Sequence, residues 1–289
     1  MVYFNIKHIT SYKYEGEVYD NKNLIKMHPV DDNRQKVISH FISISRNPKI
    51  NLNTDVFGNK FGIFTLHERH TELTISSTIE VQTVIKDIYA DVSRRKHSWD
   101  NIFMLSMDNS FQLFLNQKEY NEIWEMRNLV NSFNYMSKNP LDVILEFNTY
   151  VYNNFRYDTN ATTVYTTLYE VWNLKAGVCQ DFAHILISML RLVNIPARYV
   201  SGYICPNNNG MRGDGASHAW VEAYLPNYGW LGVDPTNNCI AQEKHVRVAF
   251  GRNYNDVAPV KGVYKGSALK AMSVVVSVSY NQAEVLEIL

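Results

Sequence analysis

Gly177-Val178-Cys179-Gln180-Asp181-Phe182-Ala183-His184 opens a run in which Phe182, Ile185, Leu186, Met189, Leu190 and Val193 recur at spacings of three and four. That period predicts an amphipathic helix, and Asn194-Ile195-Pro196 stops it. Cys179 then falls in the first turn, where unpaired backbone N–H groups carry partial positive charge and favour thiolate over thiol. Gly177 has no side chain, so another chain or a substrate can approach closely there. The plain alternative is a small buried cysteine, since free cysteine is among the most buried residue types.

Downstream, the pattern changes to three strand-like runs: Ala197–Ile204, His218–Leu225 and Trp230 to Asp234. His218 starts the second run directly after an Asn- and Gly-rich stretch at 207–217, which is expected to be a mobile loop containing a chance Arg212-Gly213-Asp214. A strand end beside a loop suits a base that must be both rigid and accessible. Pro226-Asn227-Tyr228-Gly229 supplies a turn, and Asp234 lies at the end of the third run. If the hairpin register makes 218 and 234 diagonal neighbours, their Cβ atoms lie about 7–8 Å apart on one face, which a histidine and an aspartate can bridge. A slip of one residue would separate them. His184 is the rival base, but five residues along the same helix it sits roughly 140° around the axis from Cys179.

Upstream, Asn139-Pro140 is a helix start, followed by Leu141, Ile144, Leu145, Val151 and Phe155 on one face. Helices followed by antiparallel strands predict an α+β core over 140–289, with a further strand over Met272 to Tyr280. Residues 1–85 alternate apolar and polar side chains in short runs separated by turns, which predicts an antiparallel β-sandwich-like domain. Residues 86–139 read as a helical connection, with a helical pattern from Tyr120 through Met126. His67 and His70, three apart in a strand, face opposite sides and make a poor metal pair.

Composition narrows the function classes. The 289 residues carry 28 Lys+Arg and 28 Asp+Glu, so no excess charge points to nucleic acid or an acidic membrane as partner. The N-terminus lacks a secretion signal and no stretch reaches the length of a membrane span, so a cytoplasmic location is expected. Three cysteines (Cys179, Cys205 and Cys239) are too few and too scattered for a disulfide framework or a C-x-x-C zinc pair.

Cys at a helix start, then His, then Asp on paired strands, is the layout of a thiol triad. The motif at 177–184 resembles the nucleophile motif of the transglutaminase-like superfamily. So do Ile195-Pro196-Ala197-Arg198-Tyr199-Val200-Ser201-Gly202-Tyr203, Ser217-His218-Ala219-Trp220-Val221-Glu222 and Asp234-Pro235-Thr236-Asn237. The first 85 residues and Gly251-Arg252-Asn253-Tyr254-Asn255-Asp256-Val257 are similar to segments of a bacterial branch of that family.

The resemblance implies a papain-like core with Cys179 as nucleophile, His218 as base and Asp234 orienting the base. It implies acyl transfer from a protein, peptide or amide substrate through a thioester, with hydrolysis expected over amine transfer. No cofactor is implied, and no acidic calcium loop is evident. Trp172, seven residues before Cys179, does not match the family's upstream oxyanion tryptophan, which leaves the Cys179 backbone N–H as the expected oxyanion donor. Asp181 is expected to cap the helix or pair with Arg198, and Tyr203 and Trp220 to line the sheet or cleft. A non-catalytic binding module on the same fold, and a zinc site built from a cysteine with His218, are the alternatives.

Overall fold

The computed structural model describes residues 2–84, 87–117, 123–205, 212 and 217–282. Tyr120-Asn121-Glu122 and most of the 207–217 loop lie outside them.

Five antiparallel strands begin the chain: β1 (Val2–Ile25), β2 (Gln35–Ile44), β3 (Asn51–Thr54), β4 (Lys60–Leu66) and β5 (His70–Thr83). β1 is long enough to serve two halves of one sheet. Its residues 2–13 pair with β5 and its residues 21–25 with β4, with irregular register in between. Tyr14, Val18, Ile25, Ile44, Phe64, Leu66, Leu73 and Ile75 form a separate apolar core for this region. Burial alternates along β4 and β5, as a half-buried sheet requires.

Short helices α1 (Ile88–Ser93), α2 (Trp99–Leu105), α3 (Gln112–Leu115) and α4 (Ile123–Ser132) follow. Asp87 and Ser98 cap the first two through side-chain oxygens. The core begins with α5 (Pro140–Asn154), whose Asn139 side chain accepts from Leu141 N at 2.9 Å. β6 (Arg156–Tyr157), α6 (Leu168–Leu174) and β7 (Ala176–Gly177) lead to α7 (Cys179–Leu192). Then come β8 (Ala197–Ile204), β9 (His218–Leu225), β10 (Gly229–Asp234), β11 (Cys239–Ile240) and β12 (His245–Gly251), forming a sheet in the order β11-β10-β9-β8-β12. α7 buries Phe182, Ile185, Leu186, Met189 and Leu190 against the side of this sheet that carries Ala197, Tyr199, Ala219, Val221 and Ala223.

The chain closes with α8 (Tyr254–Val257), β13 (Val260–Gly266) and β14 (Leu269–Gln282). Sequence pattern grouped these last strands with the core. Their hydrogen bonds run to β1 instead, so both ends of the described chain share one sheet.

The two sheets are joined by polar side chains acting as substitute backbone. The Gln35 amide donates to Arg247 O at 2.9 Å and accepts from Arg247 N at 2.8 Å. Asn59 does the same with Phe250, at 2.7 and 2.9 Å. Edge strand β12 is thereby covered rather than left open. One continuous apolar cluster also runs from Phe4, Ile6 and Val81 through Met126 and Phe147 to Leu186 and Val221.

Candidate active site

Asp181 explains both the helix start and its glycine. Its Oδ2 accepts from Val178 N at 2.8 Å and from Thr162 Oγ1 at 2.6 Å. A Cβ on Gly177 would lie 2.4 Å from the same oxygen. The close approach that Gly177 permits is therefore that of Asp181, not of another chain. Asp181 caps the helix; Arg198 pairs instead with Glu222, its Nε 2.6 Å from Oε2. Cys179 follows as the first helical residue, with its N–H among those lacking an intrahelical acceptor.

Register delivers the histidine and the aspartate. Val221 pairs with Val233 between β9 and β10, so Asp234 falls opposite Trp220 and diagonal to His218. His218 Nε2 donates to Asp234 Oδ2 at 2.8 Å, with both side chains fully buried. Asp234 Oδ1 accepts from Thr236 N at 2.9 Å and Asn237 N at 3.3 Å, and Asn237 Nδ2 adds a bond to Oδ2 at 2.8 Å. Against burial, the charge and hydrogen bond of His218, and then those of His245, hold the Asp234 carboxyl far below the usual range.

Burial alone would depress His218; the charge and hydrogen bond of Asp234, then the Cys179 sulfur, overcome it and lift His218 to about 10. The other ring nitrogen, Nδ1, is buried with no hydrogen-bond partner among the described residues.

Cys179 and His218 line one cleft of about 320 Å³. Tyr157, Tyr199 and Tyr254 line it from the core, and His8, Thr10, Tyr12, Met272 and Val274 line it from the first sheet. Burial first, then the nearby Cys179 charge, pushes Tyr157 up to about 12 and Tyr199 well above its ordinary value. No Lys, Arg, Asp or Glu lines the cleft among the described residues. The His184 ring, by contrast, accepts from Tyr254 N at 3.2 Å and so fastens α8 beside the cleft.

Sequence reading missed His245. Its Nε2 reaches the same Asp234 Oδ2 at 3.2 Å, from β12. His218, Asp234 and His245 bring donor atoms within 4.8 Å of one another, and no cysteine joins them. With three N–H groups already on Asp234 Oδ2, the cluster is a hydrogen-bond network around one carboxylate. A clue lay in the alternation of His245-Val246-Arg247-Val248, but its pairing partner β8 is some 40 positions earlier and invisible locally.

Neither of the other two cysteines lines the cleft. Cys205 is buried, and burial with the Asp234 charge raises Cys239 to about 12. Trp172 donates its indole N–H to Glu125 at 3.0 Å, so it has no proton left for an oxyanion.

Residues 127–235 match the model of the transglutaminase-like superfamily, and residues 4–82 match the bacterial transglutaminase-like N-terminal region. An uncharacterized protein of Mycobacterium leprae is 30% identical over 277 residues, spanning 95% of this chain and 97% of the relative. The chain belongs to the transglutaminase-like superfamily. A similar uncharacterized protein of Mycobacterium tuberculosis is 30% identical over 292 residues, 95% of this chain and 92% of its own length. The fold matches a candidate cysteine protease of Cytophaga hutchinsonii with a TM-score of 0.77 at 21% identity, covering 98% of this chain and 92% of that one. A protein-glutamine gamma-glutamyltransferase of Pseudomonas aeruginosa is 38% identical over 71 residues, 23% of this chain and 11% of its own length. This superfamily membership accounts for the α+β core and for the β-domain before it. No helix of the described residues is long and apolar enough to cross a membrane.

Proposed function

We propose that this chain is a thiol enzyme in which Cys179 attacks an amide or peptide carbonyl to form a thioester. The observation that carries the reading is a shared cleft: Cys179 and His218 both line it, while the far nitrogen of His218 is held by a buried carboxylate. His218 in its charged form pairs with the thiolate, then gives its Nδ1 proton to the leaving amine. Asp234 keeps the proton of the neutral imidazole on Nε2 and stabilises the imidazolium. The Cys179 N–H, at the helix start, receives the charge that develops on the carbonyl oxygen.

Water then attacks the thioester, with His218 taking its proton, and the acid is released. Hydrolysis is favoured because, among the described residues, no acidic group lines the cleft to hold a second, positively charged amine. The Pseudomonas relative keeps transfer to an amine as the second reading. Both run through the same acyl-enzyme, so one experiment addresses the common step. Mass spectrometry of protein mixed with an amide substrate and quenched in acid is expected to find an adduct on Cys179 that Cys179→Ala lacks. Equal turnover by Cys179→Ala would end the proposal. Adding a primary amine separates the two readings, since only transfer diverts the acyl group into a new amide.

A further inference from the structure

β14 is an edge strand with unusual properties for an edge. Among the described residues it pairs only with β1, and it does so in unbroken register from Ala271 to Gln282. Its outer N–H and C=O groups are thus unpaired by strand neighbours. Proteins usually blunt such edges with lysine, proline or a bulge. Between Ala271 and Ser279 there is neither proline nor charge, only Ala-Met-Ser-Val-Val-Val-Ser-Val-Ser. Met272 is 57% exposed and Val275 58%, so both faces of the strand are open there among the described residues.

The edge is continuous with the cleft. Met272 pairs with Tyr12 and Val274 with Thr10 across β1, and all four line the cavity that holds Cys179. A strand added outside β14 would lie about 4.8 Å away, with every second side chain on the Met272 and Val274 face. That face is turned to a largely aromatic lining that holds no Lys, Arg, Asp or Glu among the described residues. The partner is therefore an extended, uncharged, β-prone segment, and its alternate side chains enter the cleft while its backbone is bound by the edge.

Resting on the thiol-enzyme reading for what happens next, we propose that the acyl-donor substrate docks as an extra antiparallel or parallel strand on the free edge of β14. Main-chain hydrogen bonds supply affinity in this mode, and pockets for alternate side chains supply selectivity.

Binding to Cys179→Ala protein tests this without chemistry. The probe is a fluorescent, end-blocked nine-residue peptide of alternating threonine and valine with a central glutamine. Two derivatives carry N-methyl groups on alternate residues, in opposite phases. Strand addition predicts saturable binding of the parent, an affinity loss of about tenfold or more for one phase, and under about twofold for the other. Equal affinities for the two phases, or no saturable binding of the parent, would overturn the proposal. So would a dimer seen by sedimentation in the free protein that Val275→Lys dissolves, because the edge would then be occupied by a second copy. Phase-dependent binding together with a wild-type protein that forms no thioester would leave the docking mode standing and remove the enzymatic reading instead.

Discussion

His245 donates to the very carboxylate oxygen of Asp234 that His218 uses, at 3.2 Å against 2.8 Å. Two imidazoles on one oxygen fix the carboxylate from two strands, β9 and β12, and Asp234 cannot rotate without losing both. His245→Phe is expected to lower kcat about tenfold with little change in KM, and to cost roughly 1.5–3 kcal/mol of stability for a lost bond to a charged group. His245→Gln, which keeps an N–H in reach, should recover much of kcat. Kinetics of the two variants side by side check this; equal defects would mean that His245 only fills space.

Cys179→Ser should reduce turnover by a factor of about a thousand or more, since a hydroxyl is a far poorer nucleophile beside the same imidazole. The matching chemical check is iodoacetamide labelling near neutral pH. Cys179 is expected to label first, while Cys239, raised to about 12, stays inert. Loss of fast labelling in His218→Ala would tie the reactivity to the imidazole.

The His218–Asp234 pair gives a pH signature. His218 rises from an ordinary 6.5 to about 10, so its contribution to stability is complete below pH 6.5 and is lost as pH climbs through about 10. Asp234 moves the other way: its contribution is complete above the usual carboxylate range and is lost only in strong acid. Asp234→Asn should flatten the alkaline part of a Tm-versus-pH curve and lower His218, because only the Cys179 sulfur then opposes burial. Activity should fall by about four orders of magnitude if the imidazole takes the wrong tautomer.

Acid acts at a different place. Burial lowers His8, His40 and His184 to about 4, so each is neutral to stability above pH 6.5 and increasingly opposes folding as pH falls from 6.5 toward 4. His8 matters most for the cleft, because its Nδ1 is hydrogen-bonded to the Tyr203 hydroxyl at 2.9 Å and joins the two sheets. Wild-type Tm should fall over that interval, and less so in His8→Asn. An identical acid slope in that variant would assign the effect to the other buried histidines, His28, His40 and His184.

Behind the site, Arg198 and Glu222 form a buried ion pair, with the guanidinium also stacked 3.6 Å from the Phe250 ring centroid. Glu222→Ala leaves that cation without its carboxylate and should cost about 3–5 kcal/mol. Chemical denaturation measures it; a loss below about 1 kcal/mol would show that solvent reaches the guanidinium.

Local signals made much of this legible. Period-3.6 apolar spacing marked α7 and α5, Asn139-Pro140 marked a helix start, and Pro226-Asn227-Tyr228-Gly229 marked the turn that sets 218 and 234 in diagonal register. What escaped was non-local. Nothing near His245 announces that β12 lies beside β8, nor near Val274 that β14 lies beside β1, because those ladders join residues some 40 and 260 positions apart. Gly177 was legible as a close approach, but the approaching group, Asp181, was four residues away in the same motif.

The order in which the chain leaves the ribosome sets one more condition. Every residue of the Cys179, His218 and Asp234 constellation is translated before Met272 and Val274, which finish one wall of the cleft. A nascent chain can thus bring Cys179, His218 and Asp234 together while that side is still open to water and lacks the strand proposed to dock the substrate. On this geometry, the wall proposed to select the substrate is completed after the residues proposed to react with it.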